Sequence, residues 1–260
     1  MKRFLLLVTV LLFAININSF ADRRYFGRSY TSYTLPKGAF ELEIWNTGRI
    51  GKDAGFYYRW QPRAEFEYGV TDRFTASLYF NFNEVRSKDN SYPSKGFSLS
   101  TTSLEFRYRL TNPNEIFIDP ALYFEFAYGG DKIVYEPKLL LSKRFDNFIA
   151  VANVVSEIER YVADNKTESK FELTSGLLYE VTPSFGLGVE FRNHRNFENI
   201  YEKSKNEATF VGPTINFQTE SFYLTFNFLH QIAGSPSTGQ NLDLKEHEKY
   251  EVRTILGVEL

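Results

Sequence analysis

The chain has 260 residues, a formal net charge of −2, no cysteine and a single methionine, with 17% aromatic and 24% charged residues. The absence of cysteine excludes a disulfide framework and any thiolate metal site, and the mild acidity leaves no footprint for nucleic acid. Beyond residue 21 no apolar run reaches the roughly 18 residues of a membrane-spanning helix, so aromatic and charged residues must be separated by position along the chain.

The first element is a leader. Lys2 and Arg3 precede an apolar run from Phe4 to Phe13, and Ser19-Phe20-Ala21 places small residues at the −3 and −1 positions of a cleavage site, the layout of a secretory signal peptide. Residues 1–21 are therefore read as a cleaved signal. Asp22 rather than cysteine at the new terminus argues against lipid modification, and loss of Lys2 and Arg3 takes the formal charge to −4. Residues 22–38 are read as a short periplasmic N-terminal segment, and 39–260 as one β-domain.

The β-domain alternates with period two. Phe40, Leu42 and Ile44 interleave with Glu41, Glu43 and Trp45. From Phe56 to Val70 the even positions carry Phe56, Tyr58, Trp60, Pro62, Ala64, Phe66, Tyr68 and Val70, while the odd ones carry Arg59, Arg63, Glu65 and Glu67. Such alternation is a strand with one apolar and one polar face; a helical period of 3.6 would mix the two sets. Phe74–Phe82 and Leu104–Leu110 repeat the pattern, followed by segments near 115–128, 132–142, 148–159, 170–181, 185–192, 208–218, 222–231 and 250–260. That predicts about 12 strands, with 10 or 14 as alternatives. Pro62, Pro120, Pro137 and Pro213 fall inside these segments, where each removes a ladder hydrogen bond and makes local register uncertain.

All 26 Asp, Glu, Lys and Arg residues within the twelve segments lie on the parity opposite the aromatic and aliphatic set. A soluble sandwich would bury its apolar face. A face this aromatic in nearly every strand points instead to lipid outside and a polar interior, because a Lys or Arg facing lipid near the midplane costs about 2–4 kcal/mol. Closing the sheet also pairs every edge, as lipid demands. Connections alternate short (Thr71-Asp72, 111–114, 143–147, 182–184, 219–221) with long (46–55, 84–102, 160–169, 193–207, 232–249), Gly129 to Asp131 being the one tight member of the second set, which matches periplasmic turns and outer loops. The fold read from the sequence is an all-β, closed antiparallel transmembrane β-barrel in the outer membrane. Its partners are outer-membrane lipid and, through the alternating last strand Tyr250–Leu260, the barrel-insertion machinery.

The phrase Glu65-Phe66-Glu67-Tyr68-Gly69-Val70-Thr71-Asp72-Arg73-Phe74 is echoed by Tyr179-Glu180-Val181-Thr182-Pro183-Ser184-Phe185. Together with Leu35-Pro36-Lys37-Gly38 and Ala121-Leu122-Tyr123-Phe124-Glu125, it resembles an uncharacterised family of bacterial outer-membrane β-barrels of transporter or porin type. The resemblance spans most of the mature chain. It implies architecture rather than chemistry, and no functional residue carries over from it.

Parity nominates the interior. The lumen-lining candidates are Glu41, Glu43, Arg59, Arg63, Glu65, Glu67, Glu105, Arg107, Arg109, Asp119, Glu125, Glu136, Lys138, Glu157, Glu172, Glu190, Arg192, Glu251 and Arg253. The 26 strand charges divide into 16 acidic and 10 basic, so a slightly acidic lumen favouring cationic or neutral solutes is expected. Cross-strand pairing of Arg107 with Asp119 and of Arg63 with Glu41 is also expected, as are inward aromatics at Tyr57, Tyr79, Phe117, Tyr123 and Tyr223. Trp45 is grouped with Tyr58, Trp60 and other residues of a rim girdle. His194 and His247 are placed in outer loops and His230 on the lipid face; no spacing for a metal site or an imidazole-activated hydroxyl is present, and no cofactor is implied. Three functional readings stay open: a channel for small hydrophilic solutes, a non-conducting structural or surface-interaction barrel, and an outer-membrane lipid hydrolase.

Overall fold

The computed structural model describes residues 24–53 and 55–260; the signal peptide assigned to 1–21 lies outside them. Twelve strands form in chain order: β1 (Phe40–Ile50), β2 (Tyr57–Thr71), β3 (Phe74–Ser87), β4 (Lys95–Arg109), β5 (Asp119–Tyr128), β6 (Lys132–Phe145), β7 (Phe148–Tyr161), β8 (Thr167–Thr182), β9 (Phe185–Glu198), β10 (Lys203–Gln218), β11 (Phe222–Ser235) and β12 (Tyr250–Glu259). Each is antiparallel to its sequence neighbours. The barrel closes where β1 meets β12, from Glu41↔Glu259 to Ile50↔Tyr250.

The parity rule holds along the wall. In β4, Ser103, Glu105 and Arg107 are at most 1% exposed, while Leu104, Phe106 and Tyr108 between them are 40–46% exposed on the outer surface. Outer aromatics meet across strands, as in Phe74 on Phe106 at 6.1 Å and Phe40 on Phe66 at 6.3 Å, adding cross-strand contact to the lipid-facing band. Leu104 pairs with Leu78 and Phe126 near the middle of that band. Leu104→Arg is expected to cost about 2–4 kcal/mol, read as a lowered urea midpoint for refolding into vesicles, whereas Leu104→Phe should be nearly neutral.

Four strand prolines do not slip the register. At Pro62 the β2–β3 pairing skips from Trp60↔Glu84 to Arg63↔Asn81, and at Pro137 and Pro213 one ladder skips in the same way, with pairing resuming in phase. Pro120 sits at the end of β5. A missing N–H opens one side of a ladder without displacing the chain. The bulges fall elsewhere, for instance at Gly69/Thr71 and Thr209/Phe210.

Several strands run further than alternation predicts, mostly toward the long-loop end, although β6 runs on to Phe145 at a short turn. β4 begins at Lys95, β9 continues to Glu198 and β10 begins at Lys203. Beyond the lipid band the outer face meets water, so pairing persists after apolar alternation has ceased. At the opposite end the expected strand start at 115 is corrected: residues 110–118 form a connection, and Phe117 is 84% exposed there rather than facing inward.

Residues Arg24 to Leu35 do not hang free beneath the barrel, as a periplasmic segment would. They run inside it and are mostly buried. The chain enters at the short-turn end, where Gly38 N donates to Gly69 O at 2.8 Å and Leu35 N to Thr75 Oγ1 at 2.9 Å. It climbs past Ser142 and Asn153, bends at Gly27–Ser29, and descends to Arg24 beside Glu43 and Glu67. Gly69 is required at the entrance, since a Cβ there would lie 2.0 Å from Pro36 O.

Candidate functional site

The lumen has two storeys. The lower one, toward the short turns, holds most of the acidic candidates and is occupied by the N-terminal segment. The Arg24 guanidinium lies 3.1 Å from Glu43, 3.2 Å from Glu67 and 3.7 Å from Glu65, all fully or nearly fully buried. Its carbonyl accepts from Asn216 at 3.0 Å and from Thr225 Oγ1. One guanidinium thus stands among three carboxylates that would otherwise repel in a low-dielectric interior. Glu41 accepts from Tyr223 Oη at 2.8 Å, and Arg107 pairs with Glu105 at 2.6 Å and Glu67 at 3.5 Å.

At the bend, the Glu190 carboxylate receives three consecutive backbone N–H groups, from Gly27 at 3.0 Å, Arg28 at 2.9 Å and Ser29 at 2.5 Å. Successive amides converging on one anion form a nest. Arg28 pairs with Glu251, and Tyr30 exchanges two hydrogen bonds with the Asn153 amide at 2.7 and 2.9 Å. Phe26 packs against Ile149, Val151 and Leu178, over Gly176, where a Cβ would come within 2.4 Å of the ring. Ser32 and Ser142 hydroxyls meet at 2.5 Å.

Above this lies a cavity of about 430 Å³ that reaches the long-loop end. Arg28 and Tyr30 belong to its lining, as do Arg59, Arg63, Glu125, Glu136, Lys138, Glu157, Glu172, Arg192 and Arg253 from the sequence-derived set. Arg49, Lys132, Glu159, Lys170, His194, His247 and Glu248 join them. The lining carries nine basic and seven acidic residues. The acidic excess expected of the lumen therefore resides in the lower storey, where Arg24, Arg28 and the amide nest compensate it, and not around the open space. Arg109 and Asp119 stand apart at the short-turn end, bonded to Asp72 O and Asn114 N.

Two expected pairs do not form. Arg107 lies opposite Tyr123 in the register, not Asp119, and Arg63 lies opposite Trp45, not Glu41. Trp45 itself belongs to the interior, 3% exposed, rather than to a rim girdle. It sits among Arg63, Arg253 and Arg24 with guanidinium-to-ring distances of 4.8, 5.0 and 5.3 Å. Tyr57, Tyr79, Tyr123 and Tyr223 do face inward. His194 is on β9, not in a loop, and bonds Glu172 at 2.9 Å. His230 lies against Tyr250 on the outer face with ring centroids 4.9 Å apart.

Sequence reasoning missed Arg24 and Arg28. The available signal was complementarity: residues 24–35 contain two arginines, three tyrosines and no acid, against strands rich in inward glutamates. The 236–249 loop also folds inward, at residues for which alternation gives no signal. Gln231 clamps that loop, accepting from Asp243 N at 2.7 Å and donating to Asp243 O and Glu248 O at 3.1 Å. His247 is buried beneath it, against Asn206 at 2.8 Å and the His194 ring at 5.4 Å.

Burial, reinforced by His194, Arg192, Lys52 and Arg49, pushes the His247 imidazole down to about 2. A depressed histidine favours the docked loop fully above its free value near 6.5 and loses that advantage as pH falls below it, by about 2 kcal/mol at pH 5. Acidification is thus expected to undock the loop. Hydrogen exchange of 236–248, corrected for intrinsic rates, should accelerate between pH 7 and 5, and His247→Gln should flatten the response.

Among solved structures, the chain is similar to the COG4313 outer membrane channel from Pseudomonas putida F1, with a TM-score of 0.64 and 13% identity over 88% of this chain and 98% of that one. The NanC porin aligns with a TM-score of 0.57 and 10% identity, covering 84% and 100% of the two chains. The KdgM porin gives 0.54 and 10%, covering 85% and 99%. No curated protein matches the chain. The likenesses carry the fold: this is a closed 12-stranded antiparallel β-barrel, the architecture of those outer-membrane channels and porins.

Proposed function

For a chain that belongs to a family of unknown function (DUF6662), whose model matches residues 18–260, we propose passage of small hydrophilic solutes across the outer membrane, through a charged lumen that the chain's own N-terminal segment closes. The observation that carries this is the lower storey. Arg24–Leu35 is held by side-chain hydrogen bonds and ion pairs from many strands of the wall, beside two apolar contacts, Tyr25 and Phe26 on Ile149, Val151 and Leu178, and Tyr30 in the cluster around Trp45 and Tyr123. A permanent filling would be packed with apolar side chains, as protein cores are. A filling made of polar contacts gives each wall group water as an alternative partner once the segment leaves.

The lipid-hydrolase reading finds less support. The Nε2 of His230 has no hydrogen-bond partner, whereas base catalysis needs a hydroxyl within reach. The cavity is lined both by the outer-loop residues Glu246, His247 and Glu248 and by Arg28 and Tyr30 of the segment, which suits a path interrupted at mid-barrel.

Liposome swelling tests the proposal. Vesicles carrying the chain without residues 24–35 should swell in small neutral sugars, and vesicles carrying the whole mature chain should swell more slowly. Equal absence of swelling in both would leave a non-conducting barrel.

A further inference from the structure

The cavity walls are electrostatically unequal. On the β6–β9 side each base has an acid: Lys132–Glu159 at 2.6 Å, Lys138–Glu136 at 2.8 Å, Lys170–Glu157 at 2.5 Å and Arg192–Glu172 at 2.6 Å. On the facing side, formed by β2, β1 and β12, Arg49 pairs with Glu248 and Glu251, but the other three guanidiniums are held mainly by neutral groups. Arg59 Nε donates to Asn83 Oδ1 at 2.6 Å and Arg63 Nε to Asn81 Oδ1 at 2.7 Å. Asn81 is itself fixed by Thr101 and Ser103 at 3.0 and 3.1 Å. Arg253 donates to Thr47 Oγ1 at 2.8 Å and Gly27 O at 2.7 Å.

Among the described residues, Arg59 and Arg253 have no carboxylate within ion-pair distance, and Arg63 has only Glu65 at 3.8 Å, which Arg24 shares. An amide or hydroxyl orients a guanidinium without neutralising it. Binding at Nε leaves the Nη groups of Arg59, and Nη2 of Arg63, whose Nη1 lies 3.8 Å from Glu65, to donate to an oxyanion. Both side chains are half-buried and line the cavity, so an anion placed there is shielded from bulk solvent on one side.

We propose that this wall is a binding site for the carboxylate or phosphate group of a small anionic solute, seated on Arg59 and Arg63 with Arg253 reinforcing the field. The inference deepens the channel reading, since it names the class of solute that the cavity holds. Lys138, Lys132 and Lys170 do not serve the same purpose, because their ammonium groups are already paired. Gln61 lies between the two arginines on the same face of β2, and strand geometry places their Cα atoms roughly 13 Å apart. A solute with two anionic ends can span them; one with a single end occupies either.

The chain's own fluorescence tests this. It has two tryptophans; Trp60 is on the lipid parity, and Trp45 lines the cavity beside Arg63 and Arg253. Trp60→Phe therefore leaves one reporter at the site. The detergent-solubilised Trp60→Phe protein is titrated with citrate, inorganic phosphate and glucose at constant ionic strength. A saturable change in Trp45 emission with citrate or phosphate, absent with glucose, is the expected result, and which anion responds identifies the group. In Arg59→Gln/Arg63→Gln the apparent affinity should fall by about tenfold or more. No saturable response to either anion, an equal response to glucose, or an unchanged affinity in the double variant would overturn the proposal. Solute flux is a separate readout. Anion binding without flux would retire the channel reading and keep the site, and flux without anion binding would do the reverse.

Discussion

Releasing residues 24–35 from the lumen is expected to raise single-channel conductance in planar bilayers by about tenfold, because the segment occupies the lower half of a barrel with little cross-section to spare. Two variants approach this state by different routes, and a third opposes it. Deleting 24–35 removes the filling outright but leaves Glu43, Glu65 and Glu67 without Arg24. Gly176→Val keeps the segment and spoils its seat: a side chain at 176 would overlap the Phe26 ring. Overpacking of this kind costs about 1–3 kcal/mol, enough to move the docked-to-released ratio by one to two decades. Ser32→Cys/Ser142→Cys acts in the other direction. The two hydroxyls touch and the chain has no other cysteine, so oxidation should pin the segment and suppress conductance, and a reductant should restore it. If conductance is unaffected by deletion, by Gly176→Val and by the redox state of the pair, the segment does not close the path.

Arg24→Gln is expected to have the largest effect of any single substitution in the segment. It leaves three buried carboxylates facing one another, and removing one member of a buried ion cluster costs about 3–5 kcal/mol. The loss falls on docking of the segment rather than on the barrel, whose strands are paired independently of residue 24. Protease protection of residues 24–35 should therefore disappear while heat-modifiable migration, a property of the closed barrel, is retained. Neutralising the partners should reverse the effect: in Glu43→Gln/Glu65→Gln/Glu67→Gln the Arg24→Gln change should cost much less, since no uncompensated charge remains. Equal cost in both backgrounds would mean that Arg24 acts through packing on Tyr30 and Trp45, at 3.8 and 5.3 Å from its guanidinium, and not through charge.

The barrel and the apolar outer side of its wall were legible in the sequence. Leu104, Phe106 and Tyr108 could be assigned to the outside, and Glu105 and Arg107 to the inside, from parity alone. Lipid imposes its condition on each residue separately: a charge on the wrong face is costly wherever its strand is placed in the circle. Strand ends were less legible where β4, β9 and β10 leave the lipid band, because water imposes no such condition.

Parity states which side a residue faces and nothing about what stands across from it. Arg63 and Arg107 were both placed inside, yet each was given the wrong acid, because partners within a barrel come from register and from strands distant in sequence. Trp45 is inward by parity yet reads as part of a rim girdle; only the position of Arg63 and Arg253 over its ring makes sense of it. The role of Arg24–Leu35 lay further out of reach, since a segment without alternation carries no local signal for the enclosed volume it enters. What the sequence determined by itself is the wall, a residue-by-residue response to lipid. What the tertiary structure alone decided is how the interior charges are shared out, because in a closed ring each one answers to neighbours from the whole circumference and from the chain threaded through it.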